Sequence, residues 1–223
     1  MNLTHKYRIK DNPDDIKYNI DLIKKYLKAD ELFLLNQIHS ADALIVNDKN
    51  ITNRPEGDAC VTKLKNIALG IYTADCIPLL FVDTENSIIG AAHAGWKGAK
   101  NGIINNIIDK MLSIGAKIGN ISVLIGPSIH QKSYEVSKDY YEDFIAESTD
   151  NKNFFIDSTR KGHYMFDLPG YAKNKISLAE IKKIHHIDND TLSNEELYPS
   201  HRRSTLSNIT NTESLLSVIM ISL

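Results

Sequence analysis

A mixed α/β fold is predicted by three observations. Six short apolar segments rich in β-forming residues crowd between Leu32 and His93, helix-spaced isoleucines flank that run on both sides, and the chain returns to strand-like residues near its end. The length of 223 residues is long for one domain and short for two. No Pro/Gly/Ser linker, internal repeat or low-complexity tract divides it. One domain over residues 1–223 is the expectation.

In chain order, Asn12-Pro13-Asp14-Asp15 reads as a helix start: a capping amide, proline in the first turn, and acids favoured by the dipole. Ile16, Ile20, Ile23 and Leu27 then mark one helical face. The segments LFLLNQI, ALIV, ACVT, IALGIYT, PLLFVD and SIIGAAH read as strands broken by polar residues. From Gly98 to Met111 the spacing of Ile103, Ile104, Ile107, Ile108 and Met111 predicts a helix, and ISVLIGP a strand stopped by Gly126-Pro127. Helices are expected over Tyr134–Ala146 and Asp167–Ile181, a loop over Glu147–Asn153, and a buried strand in LLSVIMI.

Charge narrows the function. With 26 Lys+Arg, 28 Asp+Glu and a net charge of -2, the chain has no global field to attract a polyanion, so nucleic acid is not an expected partner. No apolar run reaches the ~20 residues of a membrane span. Two cysteines, Cys60 and Cys76, and an N-terminal stretch without an apolar core predict a cytoplasmic chain with reduced thiols.

His39, Cys76 and His93 each close an apolar run, and each carries a nitrogen or sulfur donor that zinc or copper prefers. Strands ending side by side would gather them into a three-ligand site with an open position. Metal binding would ionise Cys76 below the free-thiol value of about 8.5. The alternative is ordinary buried histidines and cysteine, since no close C-x-x-C or H-x-x-x-H spacing reinforces the trio. In AHAGWKGAKNGI, glycines and Lys97 precede a helix, where a phosphate would be favoured; a plain strand-to-helix turn with solvated Lys97 is the alternative. Arg202 and Arg203 beside His201 offer forks for phosphate or carboxylate, or simply a solvated loop. Of the adjacent pair His185-His186, one at most faces a given site on a strand, and His5, His130 and His163 have no recognisable ligand partners. Neither a G-x-S-x-G elbow nor the H-x-E and P-C-x-x-C pair of nucleobase deaminases is present.

The phrases NQIHSADALIV, GDACVTKLKNIALGIYTADCIPLLFVD, IGAAHAGWKGAKNGI, IGPSIHQKSYEV, FDLPGYAKNKI and YPSHRR occur in an order that closely resembles the laccase-domain (YfiH-like) family, from about Leu32 to Arg203. The resemblance implies layered α/β/β/α architecture with two central sheets. It implies a metal, zinc with copper as the alternative, on His39 of QIHS, Cys76 of TADC and His93 of HAGW. It further implies phosphorolysis of adenosine, inosine and S-methyl-5'-thioadenosine, with adenosine deamination as a second activity. Purine nucleosides and phosphate are then the partners, and no protein partner is predicted. Under that reading Lys97, Arg202 and Arg203 orient phosphate, and Asp75, Glu135 and Asp58 are candidates for the general acid, with Asp75 expected to point away from Cys76 if the strand is extended.

The departures from the family pattern are specific. Family members usually carry an R-x-G-G-x-S segment ahead of the first helix, where this chain has a short arm, so part of the pocket is expected to be missing and activity reduced or redirected. Ser128 stands where cysteine is frequent in the family, Asp190-Thr191 where Cys-Thr is frequent, Asn208 to Asn211 where T-G-R follows, and Lys97 where arginine is usual. Two other functions remain open on the residues: a cysteine hydrolase with Cys76 as nucleophile and His93 as base, acting on a cell-wall amide, and a non-catalytic metal-binding protein. A copper oxidase is disfavoured, because one trio of ligands cannot hold the several coppers that oxygen reduction by a laccase needs.

Overall fold

The computed structural model describes residues 13–209 and 213–222. Asn12 and His5 therefore lie outside the described residues, as do Thr210 and Asn211 of the segment after the double arginine. Helix α1 (Pro13–Leu27) leads into β1 (Glu31–Leu34), β2 (Ala43–Ile45), β3 (Ala59–Thr62), β4 (Ile67–Thr73), β5 (Ile77–Asp83) and β6 (Ile88–Ala94). Then follow α2 (Trp96–Lys100), α3 (Ile103–Ser113), β7 (Ser122–Ile125), β8 (Glu135–Ser137) and α4 (Lys138–Glu147). The chain continues through β9 (Phe155–Asp157), β10 (His163–Phe166), α5 (Leu168–Leu178), β11 (Lys183–His186), α6 (His201–Leu206) and β12 (Leu215–Met220).

Two sheets form the centre. The smaller has the order β1-β4-β12, with β1 parallel and β12 antiparallel to β4. The larger has the order β11-β7-β5-β6-β3-β2; its outer pairs β11/β7 and β2/β3 are parallel, and the strands between them run antiparallel. Period-two alternation sorts side chains between layers. Along β4, Leu69 and Ile71 meet Phe33 and Leu35 of their own sheet and Cys60, Ile89 and Ala91 of the larger one. Ala68, on the other face, packs with Ile20, Ile23 and Leu27 of α1. The opposite face of the larger sheet buries Leu79, Phe81 and Ala92 against Ile103, Ile107 and Met111 of α3 and Ile176 of α5. The order is helix, sheet, sheet, helices, which is the expected layered α/β/β/α arrangement.

The differences from expectation are local. The helix expected from Gly98 is two helices, because Gly102 adopts φ 97, a left-handed conformation that ends one and caps the other. Tyr134–Ser137 is not helical. Glu135–Ser137 pairs with β10 in a third sheet, β8-β10-β9, and Ser137 caps α4 by accepting the Tyr140 N–H. The loop expected after Glu147 contains a 3-10 helix over Thr149–Phe154. His201–Leu206 is a helix capped by Ser200 rather than a solvated loop. β12 is half-buried, since it forms an edge of the smaller sheet.

Candidate metal centre

The parallel strands β1 and β4 end at the same edge of the smaller sheet, and β5 begins beside the end of β6 in the larger one, with Ile77 opposite Ala94. The segment Ala74–Cys76 crosses between the sheets at that edge. Each member of the trio is therefore delivered by a different strand end.

His39 lies beyond β1, in a loop that two buried side chains fasten. The Gln37 amide donates to the Tyr72 carbonyl and accepts the Tyr72 N–H, tying the loop to the end of β4. The Asp58 carboxylate accepts the N–H groups of Ile38, His39 and Ser40 and the Ser40 hydroxyl. His39 itself has φ 60. This left-handed position is uncommon for histidine and is maintained by those bonds.

His93 sits on β6, and its Nδ1 lies 2.8 Å from Asp58 Oδ1. A carboxylate accepts, so Nδ1 carries a hydrogen, and in the neutral ring Nε2 is left to offer its lone pair. The His39 and His93 rings meet edge to face with centroids 4.7 Å apart. The donor atoms of His39, Cys76 and His93 all lie within 4.8 Å of one another. Gly95 closes the gap from below: a Cβ there would stand 2.9 Å from Cys76 Sγ and 3.2 Å from His39 Cδ2. A side chain at this position would therefore push the Cys76 sulfur and the His39 ring aside.

Burial pushes the Cys76 thiol up, but the charge of His93 and the hydrogen bonds from both histidines outweigh it and bring it down to about 6. Burial likewise opposes a charged His93, and the Cys76 thiolate and the Asp58 carboxylate overcome this, raising it to about 9. Asp58 is held below the ordinary carboxylate value of 3.8: its burial is offset by His93 and Ser40. A thiolate, two imidazoles and a carboxylate that orients one of them form a donor set suited to zinc. Bonds of about 2.0–2.3 Å would draw the donors to about 3.3–3.6 Å apart, a closure available to the exposed His39 ring.

The other candidates fall in different places. Asp75 has φ 83 and is not extended; its carboxylate accepts from the Thr191 hydroxyl and the Arg202 N–H, and its carbonyl accepts the Ile129 N–H. Arg202 donates from Nη1 to the Glu135 carbonyl and lies 5.2 Å from the Tyr134 ring centre. The Arg203 guanidinium points into its own segment, donating to the carbonyls of Thr191, Leu192 and Tyr198. Lys97 is exposed with its ammonium 5.5 Å from the Trp96 ring centre. Glu135 accepts from the Ser158 hydroxyl, which with Arg160 keeps its carboxyl ionised. Tyr134 is a neighbour that sequence reading missed. Burial and the Cys76 charge push its hydroxyl up to about 12. Nothing in its local pattern marks it, because it directly precedes β8, a strand of the third sheet in a stretch whose sequence reads as helix.

Cys60 is buried in the interface between the two sheets, and both cysteines are free thiols. Among the described residues no helix is long and apolar enough to cross a membrane.

Comparison with known proteins agrees with this architecture. The chain is 42% identical over 223 residues to a protein of Rickettsia prowazekii named purine nucleoside phosphorylase, covering 99% of this chain and 92% of that one. A Rickettsia conorii protein of the same name is 41% identical over 222 residues, covering 98% and 91%. Among solved structures, hypothetical protein YfiH of Bacillus licheniformis superposes with a TM-score of 0.88 at 24% identity, covering 99% of this chain and 86% of that one. YlmD of Geobacillus stearothermophilus gives 0.86 at 24% identity, covering 99% and 85%. These two share the fold. The family model described as multi-copper polyphenol oxidoreductase laccase matches residues 1–222, and the chain belongs to that family.

Proposed function

We propose that this chain is a cytoplasmic purine nucleoside phosphorylase that cleaves adenosine, inosine and S-methyl-5'-thioadenosine with phosphate and also deaminates adenosine. His39, Cys76 and His93 hold its metal, zinc, with copper as the alternative ion. The observation that carries this reading is the convergence of the three donors over Gly95, in a chain 41–42% identical to relatives named purine nucleoside phosphorylase.

Zinc at the trio supplies Lewis acidity and an exchangeable coordination position. The protein supplies the rest. Asp58 fixes the tautomer and direction of His93 while fastening the loop that carries His39. In phosphorolysis a phosphate oxygen forms a bond to the anomeric carbon as the bond from that carbon to the purine nitrogen breaks, and the leaving purine gains a proton. Lys97 and Arg202 provide positive charge to orient phosphate. Arg203 acts at one remove, by holding the segment that presents Arg202. The Asp58, Asp75 and Glu135 carboxylates are all engaged as acceptors. Tyr134 keeps its proton at neutral pH and is a further candidate donor to the leaving purine, a weak acid because burial and the Cys76 charge push its hydroxyl up to about 12.

The decisive assay follows products from adenosine, with and without phosphate, for metal-assayed wild type and Cys76→Ala. Phosphate-dependent adenine from the wild type and none from the variant is the expected result; inosine formed without phosphate reports the deaminase. Undiminished turnover by metal-free Cys76→Ala sinks the proposal. A second reading is favoured by one observation: Cys76, His93 and Asp58 stand as nucleophile, base and orienting carboxylate. For that cysteine hydrolase, a trapped acyl group on Cys76 after incubation with cell-wall amides is the mark. Bound metal with neither activity would leave a metal-binding protein.

A further inference from the structure

We propose a second transition-metal site, independent of the trio and of the nucleoside reading, formed by His130, His186 and Asp188. In sequence His130 has no recognisable ligand partner. The fold supplies one, because β7 and β11 are parallel neighbours with Ile125 opposite His186, so the residues following both strands emerge at the same end. His186 closes β11, Asp188 follows two residues later, and His130 follows the turn after β7.

Asp188 Oδ1 lies 3.7 Å from His130 Nε2 and 3.9 Å from His186 Nδ1, and the three donor atoms are all within 4.8 Å of one another. These separations are too long for hydrogen bonds and slightly longer than the about 3.3–3.5 Å set by metal bonds of about 2.0–2.2 Å. The His130 Nε2 atom is buried and has no hydrogen-bond partner among the described residues. An orphaned buried ring nitrogen aimed at a carboxylate and a second imidazole calls for an occupant, and a divalent cation satisfies all three at once. His130 is held in place by its own backbone, whose N–H donates to Asp190. The Asp188 side chain, 81% exposed, is free to make the closing movement of a few tenths of an ångström. Two imidazoles and one carboxylate suit zinc, and the site opens onto a cleft of about 470 Å³ bordered by Lys132 and Lys173. Water or a small anion completes the coordination from that side.

Equilibrium dialysis against zinc, followed by metal analysis and by cobalt substitution, tests this. Wild type is expected to bind two ions per chain. His186→Ala should retain one ion together with the thiolate-to-cobalt charge-transfer band, and Cys76→Ala should retain one ion without that band. Asp188→Asn should weaken the second ion by more than the about 10- to 100-fold typical of losing a supporting residue. His186→Ala removes a partly exposed side chain outside the trio, so the test survives if Cys76→Ala fails to fold. Equal stoichiometry and affinity in wild type and His186→Ala overturns the proposal. One ion in wild type, lost in His186→Ala and kept in Cys76→Ala, supports this site and removes the trio instead.

Discussion

Asp58 is the residue on which the candidate centre depends most. Its carboxylate is fully buried and accepts from three consecutive backbone N–H groups, one hydroxyl and one imidazole, so a single side chain sets both the His39 loop and the His93 tautomer. Asp58→Asn keeps the volume and removes the charge, and its amide nitrogen faces donors. Each buried donor left without an acceptor costs about 1–3 kcal/mol, and zinc affinity should fall about 10- to 100-fold. Urea unfolding and competitive zinc titration read the two effects. A variant with wild-type affinity would show that His93 is oriented by other means. The sequence offers Asp58 only as one of several acids, because its partners lie up to 35 residues away and meet it only in the folded chain.

At the scale of elements, a strand end and a helix each make a claim. Gly95 caps α2 with ordinary dihedrals, so its requirement is not conformational but steric, set by Sγ of Cys76 and the His39 ring. Gly95→Ala is therefore expected to leave the fold intact by circular dichroism and to lower bound zinc, since the donors must spread around the new methyl group. Full metal content in that variant would refute the cradle. Helix α3 buries Ile103, Ile104, Ile107, Ile108 and Met111 against the larger sheet. Truncating the fully buried Ile107 to alanine should cost about 2–5 kcal/mol in urea unfolding, the range for large cavities in cores. A loss under about 1 kcal/mol would mean that the helix and sheet close over the gap. The periodicity of α3 was legible because its partners are uniformly apolar. The small sheet of β8, β9 and β10 was not, because its strands are three or four residues long, too short to display a period.

At the scale of the molecule, acid stability follows from carboxylates distributed through the fold. Asp58 is joined by Asp83, which accepts from Lys117 and Asn86, and Asp190, which accepts from Ser133, His130 and Leu192. For each, burial alone would raise the pKa and the hydrogen bonds lower it below 3.8. A depressed folded value means stability that is complete above the unfolded value and lost as pH falls through the folded one. Metal-free protein should therefore hold its urea midpoint down to about pH 5 and lose it steeply below about pH 4, with Asp83→Asn showing a shallower fall. Equal slopes for wild type and Asp83→Asn would assign the acid loss to other groups.

The amino-acid sequence by itself determined the α/β class, most of the strands around the trio, the helical face of α3 and the family, because apolar periodicity and short phrases are local properties of the chain. It also supplied the identities of His39, Cys76 and His93. Only the tertiary structure decided that their donors meet over Gly95, that Asp75 turns toward Thr191 and Arg202, that Arg203 faces carbonyls, and that His130 finds His186. Those facts depend on which strand ends share an edge, and strand pairing is a long-range choice driven by the burial of both sheet faces at once.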